Sequence, residues 1–293
     1  MKPGHLLVLL LVLLLAACQP ASPTSTPAPE PSLRAGLRAS HYGISPFPDA
    51  DWWITSARDM AGRFDDAAPT VIWIVGTVND DACWLNFPAP EGVQNGDLPH
   101  IIFSPLDDNE SYLDRFDREG VRVWLQVEPG SADVVTLIDL VLDRYGAHSS
   151  IVGFGVDAEW YRHTVCENGC AVSEQEVIAW AEAVRRHNPR YQLFVKHWLF
   201  DRLPLTLHEG IVFIDDSQQF DSLEAMLTEF QMWGNYYAPA PVGFQYGYPS
   251  DRRWWSQLDD PPAAIGEALR KRLSNLSDLY WVDFTAYDLW PQP

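Results

Sequence analysis

One pattern constrains this chain more than any other. From about Leu37 onward, a short β-rich run ending in polar residues recurs, each followed by a loop and most by an amphipathic helix. Eight runs read as strands: His41–Ser45, Val71–Gly76, Val121–Glu128, Val152–Trp160, Gln192–Trp198, Ile211–Asp216, Val242–Tyr246 and Tyr280–Thr285. Helices are predicted at Asp49–Phe64, Asn109–Glu119, Ser222–Phe230 and Pro262–Leu273. Another opens at Ser131, carries Val134, Leu137, Ile138, Val141, Leu142 and Tyr145 on one face, and stops at Gly146. Ser173-Glu174-Gln175-Glu176 reads as a capping box for one more, which Asn188-Pro189 stops. Strands alternating with helices pair in parallel through crossovers. Eight units in a chain of 293 residues predict a single-domain α/β fold, a (β/α)8 TIM barrel over residues 37–293. The competing arrangement is an open doubly wound sheet, but no glycine-rich dinucleotide fingerprint accompanies it.

The strand patterns give a direction to each side chain. Val121, Val123, Leu125 and Val127 alternate with Arg122, Trp124, Gln126 and Glu128, so the aliphatic set should face the helices. In the next run, Val152, Phe154, Val156 and Ala158 should point outward, and Gly153, Gly155, Asp157 and Glu159 inward. The segment 77–107, with Cys83, Trp84 and Phe87, reads as an elaborated mouth loop carrying a short strand at Ile101–Ser104.

The N-terminus speaks of location. Lys2 precedes an unbroken Leu/Val run, Leu6–Leu15, too short to span a bilayer comfortably and typical of an export signal. Leu15-Ala16-Ala17-Cys18 resembles a bacterial lipobox, which implies lipidation of Cys18 after removal of residues 1–17. Residues 18–36 follow as a Pro-rich tether, with five prolines among residues 19–32. The expected location is therefore the cell envelope, lipid-anchored on the extracytoplasmic side of a bacterial membrane. In such a compartment Cys166 and Cys170, flanking Glu-Asn-Gly, should form a disulfide; a metal site on His163, Cys166 and Cys170 lacks a nearby fourth ligand. Cys83 is left over.

Composition narrows the partners. Forty acidic against 20 basic side chains give a formal net charge of −20, which excludes nucleic acid and polybasic membrane docking. Thirteen Trp is a surplus, and large aromatics serve both as core and as stacking faces for sugars. No His-x-His pair recommends a barrel metallohydrolase and no Gly-x-Ser-x-Gly elbow an esterase, so neither metal nor cofactor is expected.

Gly155-Val156-Asp157-Ala158-Glu159-Trp160 is the sharpest local feature. Two carboxylates at i and i+2 on a strand share a face, about 6–7 Å apart. Their mutual charge raises one pKa, which creates an acid usable near neutrality. Asp157-x-Glu159 resembles the Asp-x-Glu of the fourth-strand motif in family 18 chitinases, and that of family 25 lysozymes. Both families are barrels, and the resemblance implies a glycoside hydrolase. It makes Glu159 the general acid and gives Asp157 the task of orienting a substrate acetamido group, itself the nucleophile, or a water.

The sequence also departs from both families. Val152 and Gly155 stand where family 18 has two further Asp. Asp215-Asp216 replaces its Tyr-Asp, although Gln245-Tyr246 could supply a similar polar pair. His41-Tyr42-Gly43 replaces the first-strand Asp of family 25, and Gln245 cannot be a seventh-strand nucleophile.

Other residues at predicted strand ends are candidates for substrate contact: Glu128, Lys196, Trp198, Asp216, Gln245, Tyr246, Trp281 and Asp283. Trp160, Trp254 and Trp255 also fall at or after strand ends. Three functions compete: a lipid-anchored hydrolase of a polysaccharide, a non-catalytic carbohydrate-binding lipoprotein on a degenerate barrel, and an interaction scaffold. An open cleft shared by Glu159, Asp157 and a further polar strand-end residue between Trp walls favours the enzyme. A Glu159 sealed inside the barrel by a cation would count against it.

Overall fold

The computed structural model describes residues 33–204 and 210–292. The signal segment, Cys18 and the tether up to Ser32 therefore lie outside the described residues. Ten strands are seen: β1 (Leu33–Ala39), β2 (Ala67–Asn79), β3 (Ala82–Leu85), β4 (Ile101–Phe103), β5 (Arg122–Val127), β6 (Ile151–Asp157), β7 (Gln192–Lys196), β8 (Ile211–Asp215), β9 (Val242–Tyr246) and β10 (Leu276–Trp281). Eight of them run in parallel in the order β1-β10-β9-β8-β7-β6-β5-β2, and β1 pairs with β2 to close the ring. The protein is a (β/α)8 barrel. The short β3 folds back antiparallel on the end of β2, and β4 pairs with it in parallel; this is the mouth elaboration, with a hairpin that the sequence pattern did not separate from its loop.

The helices α1 (Ala50–Ala61), α2 (Glu110–Glu119), α3 (Val134–Tyr145), α4 (Glu174–His187), α5 (Leu223–Tyr237), α6 (Arg252–Trp255), α7 (Pro261–Arg272) and α8 (Ala286–Leu289) follow the strands. Their starts are chemically specified. Asp49, Asp133, Ser173, Ser222 and Asp260 each accept a backbone N–H in the first turn of a helix, and Ser173 with Glu176 completes the capping box. The cap of α3 is Asp133, not Ser131, because Asp133 takes the amide of Thr136.

The first and last strands differ from the sequence expectation. Residues 41–46 form turns, and β1 lies upstream, beginning within the span expected to be tether; β10 likewise begins at Leu276 instead of Tyr280. The reason is a pair of long-range ion pairs. In β1, Leu33, Ala35, Leu37 and Ala39 join the outer core while Arg34 and Arg38 are buried on the other face. Arg34 meets Asp278 of β10 at 2.7 Å and Arg38 meets Asp283 at 2.6 Å. Charges within a strand hide it from a hydrophobicity pattern, yet here they neutralise each other across adjacent strands.

The barrel interior is packed by Ile72, Trp124, Phe194, Val212, Ile214 and Tyr280. Trp124 therefore points inward and Val123, Leu125 and Val127 outward, as the alternation of β5 requires. A Cβ at Gly155 would fall inside the Phe194 ring, so that glycine is the space into which the ring packs. Val152 is a correction: a register shift where β5 pairs with the start of β6 turns it toward the inner cluster, while Ile151, Phe154 and Val156 face the helices.

Asp278 is held below the usual carboxylate range: burial works to raise it, but Arg34 and the donors Ser277 and Tyr280 prevail. Its stabilising contribution is complete above the unfolded value of about 3.9 and is lost as pH falls through the lower folded value. Asp278→Ala should cost roughly 3–5 kcal/mol, because it strips a buried guanidinium of its carboxylate. Thermal unfolding at neutral pH checks this, and a shift of only a few tenths of a kcal/mol would refute it.

Candidate active site

At the C-terminal mouth of the barrel, β6, β7 and β8 deliver four ionisable groups to one point. Lys196 is the last residue of β7 and is buried. Its Nζ lies 2.9 Å from Asp157 Oδ2 and 2.9 Å from Glu159 Oε1, and also pairs with Asp216 Oδ2. Asp157 ends β6, whereas Glu159 sits in a single 3-10 turn, Ala158–Trp160, and not on the strand as expected. The two carboxylates still meet, because both are drawn to the same ammonium. Two oxygens each 2.9 Å from one nitrogen cannot be more than twice that apart.

The charges split the carboxylates into different states. Burial, with Asp216 and Asp157 adding repulsion, holds Glu159 well above the ordinary range despite Lys196. Asp216 is held below it: burial would raise it, but the Lys196 ammonium and a hydrogen bond with Glu159 outweigh that. Asp157 is pushed up to about 7 by burial and by the charges of Asp216 and Glu128, against the pull of Lys196. Lys196 is held well above its ordinary value, since three carboxylates overcome the burial penalty. It is thus a fixed cation and not a nucleophilic amine. A carboxyl held well above its ordinary range beside one held below it is the arrangement of a poised acid.

Glu159 is paired but not sealed. Its side chain is 24% exposed, and with Asp216 it lines a cleft of about 550 Å³ walled by Trp198, Gln218, Gln219 and Phe220. That volume suits a small-molecule or oligomer subsite. The turn bearing Glu159 is braced from behind by the loop that the Cys166–Cys170 disulfide closes. Gly169 (φ +77°) packs so close to the Ala158 and Glu159 carbonyls that no side chain would fit there. Within the same loop, the Asn168 carbonyl accepts Nε2–H of His197 at 2.8 Å. Burial pushes His197 down to about 4, so it is neutral, and its Nδ1 accepts the Leu199 amide.

A second polar network fills the other half of the mouth. Arg38, paired with Asp283, donates to the Tyr42 hydroxyl, which donates to Glu128 Oε1 at 2.5 Å. Glu128 Oε2 also takes the Val78 amide at 3.0 Å. Tyr248 joins the halves: its hydroxyl is 3.4 Å from Asp216 Oδ2, and its ring lies 6.2 Å from that of Phe284.

Several residues named from the sequence are placed elsewhere. Tyr246 and Trp281 face the helical layer, because the register that puts Gln245 and Tyr280 inside puts their neighbours outside. Tyr246 donates to the Pro262 carbonyl and Trp281 to Thr285, so neither can touch a substrate in the mouth. Asp283 is buried against Arg38 and Ser40 and supports β1 from beneath. Gln245 lies fully inside the barrel beside Gln126's layer, and neither amide has a hydrogen-bond partner among the described residues. Trp255 is core, Trp254 packs against it, and Trp160 and Trp198 are more than a third exposed. Free Cys83 is buried, and no group of three or more His, Cys, Asp or Glu among the described residues could hold a metal ion. Sequence reasoning missed Arg38, Tyr42 and Tyr248. The first two were hidden by the misplaced first strand, and only the fold aims the third at Asp216.

No protein-family model matches the sequence, and no curated protein matches it. Among solved structures, the chain is similar to a putative alpha-L-fucosidase from Bacteroides thetaiotaomicron, 12% identical over 90% of each chain with a TM-score of 0.52. The fold is that of the TIM-barrel enzymes. An endocellulase from Pyrococcus horikoshii (12% identical; 85% of this chain, 83% of that one; TM-score 0.44) is also similar. So is a dihydropteroate synthase from Coxiella burnetii (10%; 90% and 93%; TM-score 0.44). At these identities the likeness is one of fold.

Replacing Lys196 by Met should destabilise the protein in a pH-dependent way. Without the ammonium all three carboxylates rise in pKa, so the variant folds with protons that the unfolded chain releases. Its deficit against wild type should be roughly 3–5 kcal/mol near pH 8 and clearly smaller near pH 5. Denaturant unfolding at both values checks this; equal deficits would show that the cluster does not titrate as a unit.

Proposed function

We propose that the protein is a glycan-cleaving hydrolase in which Glu159 is the general acid. The observation that carries this reading is the split pair at the cleft floor: Glu159, partly exposed and held well above the ordinary carboxylate range, beside Asp216, held below it. Glu159 gives its proton to the glycosidic oxygen as the C–O bond breaks, and the leaving sugar departs as an alcohol. The positive charge developing on the other sugar faces Asp216, which Lys196 holds in place together with the buried Asp157. Water then supplies a hydroxyl to the anomeric carbon and a proton to Glu159, which restores the acid.

A second reading has one observation in its favour. Lys196 bonds Glu159 directly, which satisfies the acid with a cation in the resting site. A carbohydrate-binding protein on a disabled glycosidase barrel would tolerate that. The experiment is a polysaccharide panel including peptidoglycan and chitin, run with wild type and Glu159→Gln. The hydrolase reading expects turnover by wild type and a loss of about 10²–10⁴-fold in the variant. Unchanged activity in Glu159→Gln removes it as the acid, and binding without turnover by either protein selects the second reading.

The reading includes export and lipid anchoring at Cys18, supported by the lipobox-like Leu15–Cys18 and the Pro-rich stretch after it. In a bacterial host, wild type should partition with membranes and incorporate labelled palmitate, and Cys18→Ala should do neither. Membrane partition of the variant equal to wild type would overturn the anchor.

A further inference from the structure

We propose that the barrel mouth binds an extended, uncharged glycan chain that lies across it, from Trp198 on one rim to the Tyr42–Phe284 pair on the other. This rests on the glycan reading above and goes beyond it, since it assigns a second sugar-binding platform and a chain-spanning, internally cleaving mode.

The topology sets the span. Tyr42 follows β1 and Phe284 follows β10, which are neighbours, whereas Trp198 follows β7. In the closed ring β7 is four strands from β1, directly across the mouth. Tyr42 is 51% exposed, Phe284 41% and Trp198 38%, in a chain whose other large aromatics are mostly buried.

Tyr42 and Phe284 are not loose surface rings. The Tyr42 hydroxyl is held between the buried Arg38 and Glu128, and the Arg38 guanidinium lies 5.0 Å from the centre of the Phe284 ring. The two rings are 6.2 Å apart. Buried ions thus fix exposed rings, which removes the ordering cost of using them as a binding face. The pair is linked to the acid from below by the buried Tyr248, whose ring lies 6.2 Å from that of Phe284 and whose hydroxyl lies 3.4 Å from Asp216 Oδ2.

The chemistry of the rim selects the chain. Aromatic faces accept the C–H faces of sugars. The two basic side chains of the mouth's polar networks, Arg38 and Lys196, are already committed to carboxylates. With a formal net charge of −20 on the whole chain, a polyuronide meets repulsion, and neither Arg38 nor Lys196 is free to offset it.

The test measures full-length protein against an uncharged soluble polysaccharide, a disaccharide of the same sugar and a polyuronide. The proteins are wild type, Phe284→Ala, Trp198→Ala and Tyr42→Phe, the last keeping the ring without its anchor. Wild type should prefer the polysaccharide to the disaccharide and cut it internally, and should ignore the polyuronide. Phe284→Ala and Trp198→Ala should each lose about tenfold in polysaccharide affinity, a change of about 1.4 kcal/mol. Phe284→Ala should leave disaccharide affinity unchanged, and Tyr42→Phe should lose less than Phe284→Ala. Chain-length preference intact in Phe284→Ala, or tight polyuronide binding, overturns this proposal while Glu159→Gln still reports on the acid. If wild type neither binds nor cleaves any glycan, the hydrolase reading falls and takes the platform with it.

Discussion

The ammonium of Lys196 is the point on which the mouth of this barrel depends. Three carboxylates, Asp157 at the end of β6, Glu159 in the turn after it and Asp216 just after β8, converge on it in a buried place where they would otherwise repel one another. Desolvating one ammonium and three carboxylates is costly, and only mutual contact offsets it. The outcome is a graded set: an Asp216 held below the ordinary carboxylate range, an Asp157 pushed up to about 7, and a Glu159 held well above the range. A proton donor and an anion side by side at the floor of an open cleft follow from that gradation.

The remainder of the barrel is arranged to hold this cluster still. Arg34 and Arg38 lie along β1 like rungs, each tied to an aspartate on or just after β10, and so close the ring with charge as well as with backbone hydrogen bonds. Above them the Arg38–Tyr42–Glu128 chain orders the opposite rim. Behind Glu159, the disulfide loop presses on the backbone of its turn and accepts from the neutral His197 next to Lys196. The acid's position is therefore set by covalent, polar and packing constraints at once.

Much of this was legible in residue order. The alternation in β5 tells inside from outside correctly, and the apolar face of α3 and the Ser173 capping box are found as the sequence predicts. Lys196, Asp157, Glu159 and Asp216 were each picked out at strand ends. What failed did so for identifiable reasons. β1 was missed because its inward residues are charged, and β10 was set too late because it opens with Leu276-Ser277-Asp278. Tyr246 and Trp281 stand at strand ends, but strand-end position does not carry register, and one residue of register is the whole difference between a substrate face and a helix-facing one.

The sequence by itself determined the repeating strand-and-helix order, the faces of β5 and α3 and the types of residue at the strand ends, because local periodicity and capping are written in near neighbours. Only the tertiary structure decided which carboxylate shares a proton with which, that one lysine serves three of them, and that Tyr42 and Phe284 stand fixed on the far rim. Those facts depend on residues far apart in the chain meeting in a low-dielectric space, where distance and burial, not residue type, set the charge.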